Sequence, residues 1–175
     1  MKLLSLLILL VSFTANAADG EQYFGDWKVG SWKTEGGVVA YANTTNESQS
    51  TLGMLCLSSV GECFPYIVNG LTCQTDGVYP ALVSIDDGLT AVDMECVHIE
   101  DRHLFALPET HLEYMVASNS YGVAFGTSGG KFKAAYFSLS GSAKAIIAAN
   151  QIMEAAQSKS KNNTPSNSKF QDTYL

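Results

Sequence analysis

The chain has 175 residues, of which 46% are hydrophobic and 15% are charged, and its formal net charge is −7. This composition excludes a disordered tail, a collagen and a basic nucleic-acid-binding protein. The length suggests one domain, large enough to bury roughly two-thirds of its unfolded surface without help from a metal. Phosphate backbones and anionic lipid surfaces repel an acidic chain, so no nucleic-acid partner is expected.

The N-terminal segment has the three parts of a secretory signal peptide. Lys2 precedes an apolar run at residues 3–13, and a small-x-small ending follows at residues 15–17. We predict a signal peptide at residues 1–17 and a mature protein that is exported, either to the periplasm or out of the cell. The apolar run is shorter than the roughly 20 residues of a membrane-spanning helix, so no stable membrane insertion is expected after cleavage.

The mature chain contains four cysteines, Cys56, Cys63, Cys73 and Cys96. Disulfides form and persist in an oxidising compartment, so two bridges and no free thiol are predicted. Four cysteines allow three pairings, and the sequence does not decide among them. A turn at residues 60–62 favours Cys56 with Cys63 and leaves Cys73 for Cys96. The spacings lack the paired clusters of a zinc site, so no metal is predicted.

Short alternating or apolar runs, separated by turn residues, predict strands along most of the mature chain. The runs cover residues 26–33, 38–42, 51–57, 64–68, 79–85, 90–97, 111–117, 121–127 and 131–139. Asn-Gly and Asp-Gly pairs favour positive φ and predict hairpin turns between several of them. A wholly polar stretch at residues 43–50 predicts a loop. The expected fold is therefore mainly β, an antiparallel β-sandwich or a barrel-like meander.

The periodicity changes near Ser140, where apolar residues begin to recur at helical spacing. An alanine-rich amphipathic helix is predicted from about residue 142 to 157, with an apolar face that covers the sheet. From residue 158 to 175 Ser, Asn, Lys and Gln dominate, which predicts a disordered polar tail. Residues 18–157 are thus expected to form a single β-rich domain with one C-terminal helix.

Two segments of the chain carry a family resemblance. Residues 24–29 read F-G-D-W-K-V, and residues 136–143 read Y-F-S-L-S-G-S-A. The first resembles the G-D-W-x-V strand that opens the invasion-associated locus B family of exported bacterial proteins, and the second resembles that family's closing strand-to-helix element. The chain departs from the family at residues 30–32, where a cysteine usually stands, and retains only Cys96 of the later paired cysteines. The resemblance implies a periplasmic or secreted β-rich protein linked to host-cell invasion, without a catalytic mechanism.

Three histidines, His98, His103 and His111, are the residues best suited to acid-base or metal chemistry. Strand alternation places Glu95 and His98 on opposite faces. His111 shares a predicted strand face with Glu113, but two ligands leave a zinc site incomplete. No nucleophile motif has the required spacing, so no catalytic residue, metal or cofactor is predicted. The alternative hypothesis is a small periplasmic hydrolase or metal-dependent enzyme that uses the three histidines.

Aromatic residues concentrate near the start of the mature chain and indicate either a core or a recognition surface. Trp27, Trp32 and Tyr41 would form that surface, because aromatic side chains are enriched at binding hot spots. Packing within the β structure is the competing interpretation. The leading hypothesis is an exported, non-enzymatic binding protein whose partner is a protein of the envelope or of a host surface.

Overall fold

A computed structural model of the chain describes residues 20–86, 88–127 and 130–162. The predicted signal peptide lies outside the described residues, as do residues 163–175 of the predicted tail. The elements are β1 (Gln22–Phe24), β2 (Trp27–Thr34), β3 (Gly37–Thr45), β4 (Thr51–Leu57), β5 (Glu62–Val68), β6 (Val78–Ile85), β7 (Gly88–Ile99), β8 (Arg102–Ala106), α1 (His111–Ala117), β9 (Ser120–Thr127), β10 (Lys131–Ser138) and α2 (Ser142–Asn162).

The strands form one antiparallel sheet in the order β1-β2-β3-β4-β5-β8-β7-β6-β9-β10. The sheet curls into a half-barrel, so the predicted mainly β fold with a C-terminal helix is confirmed. The first five strands form a meander, whereas β8 rather than β6 adds to β5. A long connection separates β5 from β6, and a disulfide from Cys73 in this connection to Cys96 anchors it beside β7.

Hydrogen bonds close the curl where the two ends of the sheet approach each other. The Trp27 indole N–H on β2 donates to the Ser138 carbonyl on β10 over 3.0 Å. The Asp26 N–H donates to the Ser140 carbonyl, also over 3.0 Å. Nδ2 of Asn46, in the β3–β4 loop, donates to the Tyr136 carbonyl over 3.1 Å. These bonds therefore connect the start of β2 and the β3–β4 loop to β10 and the residue pair that follows it, although β10 does not pair with β2 or β3 in the sheet.

The core lies between the inner face of the sheet and the two helices. α2 packs on β2, β3 and β4. It buries Ala145, Ala149 and Met153, which recur every fourth residue, while Ile147 is 57% exposed. The small alanines let the helix approach the sheet closely. α2 continues to Asn162 rather than ending at 157, because no helix-breaking residue precedes Pro165.

Residues 111–117 form the helix α1, so the predicted strand there is wrong. His111 and Met115 are its buried residues, four positions apart, which is the period of a helix and not of a strand. Leu, Glu, Met and Ala are also good helix formers. Apolar periodicity over only seven residues does not separate the two structures.

Three strand assignments also differ from the predictions, and the first is β1 (Gln22–Phe24), which was not predicted. β8 was not predicted; it pairs with β7 across a turn at residues 100–101, where Glu100 has a φ of 54°. β3 extends to Thr45, so the first part of the predicted loop at residues 43–50 is strand. Asn43 and Thr44 are polar but buried, because they pair with Gly53 and Leu52 on β4.

The two disulfides have the pairing that the sequence favours, and no cysteine is free. Cys56 and Cys63 are register partners on β4 and β5, with their Cα atoms 4.0 Å apart. Cys56 and Cys96 are buried, and Cys63 and Cys73 pack against the core. Both bridges therefore join segments that already pack against the core.

Candidate binding groove

A second apolar cluster lies on the outer face of the sheet, opposite the core. Its buried members are Val39, Leu55, Tyr66 and Leu104. Alternation places them there, because Ala40 and its equivalents on the neighbouring strands face the core. Three of them, Leu55, Tyr66 and Leu104, line a groove of about 760 Å³, which we call the outer groove. Its volume is within the usual range of ligand sites.

Two glycines allow tyrosine rings to lie across the floor of the outer groove. Gly30 is the register partner of Tyr41, and Gly53 is the register partner of Tyr66. A Cβ atom at position 30 would lie 2.5 Å from the Tyr41 hydroxyl oxygen, and one at position 53 would lie 3.0 Å from Cε1 of Tyr66. The Trp32 ring adds to this surface, with its centroid 5.7 Å from that of Tyr41. The floor is therefore aromatic.

Glu21 organises the polar wall of the groove. Its carboxylate accepts hydrogen bonds from Lys28 Nζ over 2.9 Å, from the Tyr41 hydroxyl over 2.8 Å and from the Tyr23 hydroxyl over 2.9 Å. These donors, Lys28 foremost, lower the pKa of Glu21 to about 2. Burial, reinforced by the hydrogen bond to Glu21, raises the pKa of Tyr41 to about 12. Glu21 is therefore anionic at neutral pH, and Tyr41 remains protonated and fixed in orientation.

The opposite wall is the β7–β8 hairpin. Trp32 Nε1 donates to Glu100 Oε1 over 3.4 Å, and this bond spans the groove from β2 to the hairpin turn. Arg102 also lines the groove. Lys28–Glu21 is the one ion pair within residues 20–86, 88–127 and 130–162, so Arg102 has no carboxylate partner there. The groove thus offers an unpaired guanidinium beside aromatic rings.

The floor of the outer groove also contains a polar pair, Asn43 and Tyr66. Asn43 Nδ2 donates to the Tyr66 hydroxyl over 3.1 Å, and both residues are buried. Burial raises the pKa of Tyr66, so the hydroxyl stays protonated. Asn43 Oδ1 has no hydrogen-bond partner in the part of the chain that the structure describes. The floor therefore combines apolar faces with one polar centre.

The structure separates the three residues of the predicted binding surface. Trp32 and Tyr41 line the outer groove. Trp27 is wholly buried in the core, where its indole N–H donates to the Ser138 carbonyl, so its assignment to the binding surface is wrong. The two tryptophans are five residues apart on one strand, and an odd separation places side chains on opposite faces.

Comparison with known proteins identifies a similar fold but no sequence relative. No family model matches the chain, and no curated protein matches it. The crystal structure of invasion associated protein B from Bartonella henselae has a TM-score of 0.52 and 13% sequence identity, covering 79% of this chain and 97% of that chain. The fold is similar to that of invasion associated protein B. At this identity the likeness concerns the fold alone.

The three histidines lie in two different places in the fold. His98 and His103 are register partners on β7 and β8, both exposed, with ring centroids 4.7 Å apart. His111 is instead buried in α1, with Nδ1 2.6 Å from the Tyr121 hydroxyl oxygen. Burial lowers the pKa of His111. Among the described residues no three His, Cys, Asp or Glu side chains are grouped to hold a metal ion.

Several groove residues were not singled out from the sequence. Tyr66 and Leu55 follow an alternating pattern that places them on one face, but the pattern does not say which face curls around a groove. Glu21 immediately precedes β1, and Arg102 is the first residue of β8; neither strand carries a strong strand signal. The described residues include no helix that is both long and apolar enough to cross a membrane.

Proposed function

We propose that the protein is exported and binds a protein partner, in the cell envelope or on a host surface, through the outer groove. The observation that carries this proposal is the aromatic lining formed by Trp32, Tyr41 and Tyr66, with the unpaired Arg102 at its edge. Tryptophan, tyrosine and arginine dominate binding hot spots, because they combine a large contact area with hydrogen-bonding groups. The groove is open, which suits an inserted segment of a partner protein.

Export is supported by the signal-peptide pattern at residues 1–17 and by the two disulfides. Disulfides persist in the periplasm and outside the cell and are rare in a reducing cytosol. The structural neighbour is named as an invasion associated protein, which agrees with a partner on a host surface. Cell fractionation and N-terminal sequencing of the exported protein test this part, and the expected first residue is Ala18.

Binding rather than catalysis is proposed because Glu21 and Lys28, the charged pair of the groove wall, are occupied with each other. Glu21 accepts three hydrogen bonds and is held as an anion, and Lys28 is paired with it. A general base needs a pKa near the working pH and a free lone pair within reach of a substrate. The pKa of Glu21 lies well below neutral pH, whereas its network is well suited to holding Tyr41 rigid for contact with a partner.

The decisive experiment compares two aromatic variants of the mature protein as bait for envelope and host-surface fractions. Trp32→Ala removes an aromatic ring from the groove, and Phe132→Ala removes an aromatic ring that is 72% exposed on β10. Loss of a hot spot costs at least about 2 kcal/mol, so Trp32→Ala is expected to weaken capture roughly thirtyfold. Phe132→Ala is expected to capture the same proteins as the wild type. Equal effects of the two variants would exclude the groove as the binding site.

A further inference from the structure

The β7–β8 hairpin presents two imidazole rings side by side. His98 and His103 are directly opposite each other in the antiparallel ladder, and both are exposed. Their ring centroids are 4.7 Å apart and their planes are tilted by 33°. Directly opposed side chains of an antiparallel pair lie on the same face of the sheet. The two rings therefore form one surface feature that solvent species can reach.

This spacing suits two nitrogen ligands of one metal ion. An ion about 2.0–2.1 Å from one nitrogen of each ring, with the two ligands at roughly 90–110°, holds the ring centroids about 4.5–5 Å apart. The observed separation of 4.7 Å lies within that interval. Both side chains are exposed, so their rings can rotate about the side-chain bonds to direct nitrogens at a shared ion.

We propose that His98 and His103 bind one divalent transition-metal ion, with water molecules completing its coordination. Neutral imidazole is the ligand that Cu²⁺, Ni²⁺ and Zn²⁺ share, and Cu²⁺ binds most tightly to a given set of nitrogen ligands. The hard ions Ca²⁺ and Mg²⁺ prefer oxygen ligands and are not expected here. The site uses two protein ligands, fewer than a structural zinc centre, so the ion is exchangeable.

The charges of the hairpin turn favour a cation. Glu100 and Asp101 form the turn between the two histidine-bearing strands, and Arg102 follows them. Two carboxylates and one guanidinium leave this turn with a net negative charge at neutral pH. Glu100 is also hydrogen-bonded to Trp32. A positive ion at the histidine pair is therefore attracted by the turn as a whole.

Metal binding at this position links the hairpin to the outer groove. A chelate across the ladder fixes β7 and β8 relative to each other next to the turn that carries Glu100. The Glu100 carboxylate accepts the indole hydrogen bond of Trp32, and His103 borders the groove. Trp27, the other tryptophan, is buried in the core. Trp32 is therefore the tryptophan joined to the metal-binding hairpin, through its hydrogen bond to Glu100.

Equilibrium dialysis of the mature protein against Cu²⁺ at neutral pH tests the proposal. The wild type is expected to bind one Cu²⁺ at the histidine pair, and His98→Gln and His103→Gln are each expected to weaken that binding by roughly tenfold or more. Glu95→Gln is the matched control, because Glu95 is exposed on β7 at an odd separation from His98 and so on the opposite face. Its affinity for Cu²⁺ should equal that of the wild type.

Electron paramagnetic resonance gives an independent measurement of the same ion. The bound Cu²⁺ should show coupling to two imidazole nitrogens in the wild type and to one in each single variant. The proposal is wrong if the double variant His98→Gln/His103→Gln binds Cu²⁺ as tightly as the wild type, since the ion then lies elsewhere, at the N-terminus for example. It is also wrong if Glu95→Gln weakens binding as much as the histidine variants do. Circular dichroism of each variant establishes that the fold is intact.

Discussion

The two tryptophans of the chain should respond very differently to replacement by alanine. Trp27 is fully buried, and removing a buried aromatic side chain costs roughly 3–5 kcal/mol of stability. Loss of its 3.0 Å hydrogen bond to the Ser138 carbonyl adds about 1 kcal/mol. Trp32 is half-buried at the groove and its bond to Glu100 is 3.4 Å long, so Trp32→Ala should cost no more than about 1 kcal/mol.

Urea unfolding followed by far-UV circular dichroism measures both free energies. Small domains have a total stability of about 5–15 kcal/mol, so Trp27→Ala should move the urea midpoint strongly or leave the protein unfolded. Trp27→Phe keeps most of the ring but lacks the N–H donor, and it should lose about 1 kcal/mol for the hydrogen bond plus a smaller packing loss. Equal losses for Trp27→Ala and Trp32→Ala would refute the assignment of one ring to the core and the other to the groove.

Two further predictions concern pH and the disulfides. Burial holds the pKa of His111 below its ordinary 6.5, so the unfolded chain takes up the proton first as the pH falls. The free energy of unfolding should therefore decrease below about pH 6.5, by at most about 1.4 kcal/mol per pH unit. Urea titrations at a series of pH values should show a smaller dependence of the free energy of unfolding on pH for His111→Gln. An unchanged dependence would mean that other groups cause it. Thiol titration of the denatured, non-reduced protein should find no free sulfhydryl, and finding two would contradict the bridges. Because the loop closed by Cys73–Cys96 spans 23 residues and that closed by Cys56–Cys63 spans 7, alanine replacement of each pair should cost about 3.5 and 2.5 kcal/mol from chain entropy alone.

Turn chemistry made most strands predictable. β4 has the predicted bounds of 51 and 57, because polar residues precede it and a turn with Gly61 follows it. β8 was not predicted, because it has only five residues and begins with two polar ones. β8 forms by pairing with two strands. β5 is distant along the chain, and β7 is reached through a tight turn. Local sequence patterns carry no information about such pairing.

Only part of the candidate site was predictable from the sequence, because strand pairing brings some of its residues together. Aromatic enrichment indicated Trp32 and Tyr41, and strand alternation was sufficient to place Trp27 on the other face of β2 once the strand was assigned. Glu21 lies just before β1, which pairs with β2 across a short turn, whereas Arg102 reaches the groove on β8, which pairs with β5 as well as with β7. The pairing of β8 with β5 joins segments that are distant along the chain, and no local motif encodes it.

The glycines beneath the tyrosines make the outer groove more sensitive to mutation at its smallest residues than at an aromatic one. Tyr41→Phe keeps the aromatic floor and loses one hydrogen bond to Glu21. The single methyl group of Gly30→Ala must instead displace the Tyr41 ring, and that of Gly53→Ala would lie 2.5 Å from the backbone oxygen of Ala42. The shape of the groove floor therefore depends on two side chains that are absent, since only glycine at positions 30 and 53 leaves room for the tyrosine rings.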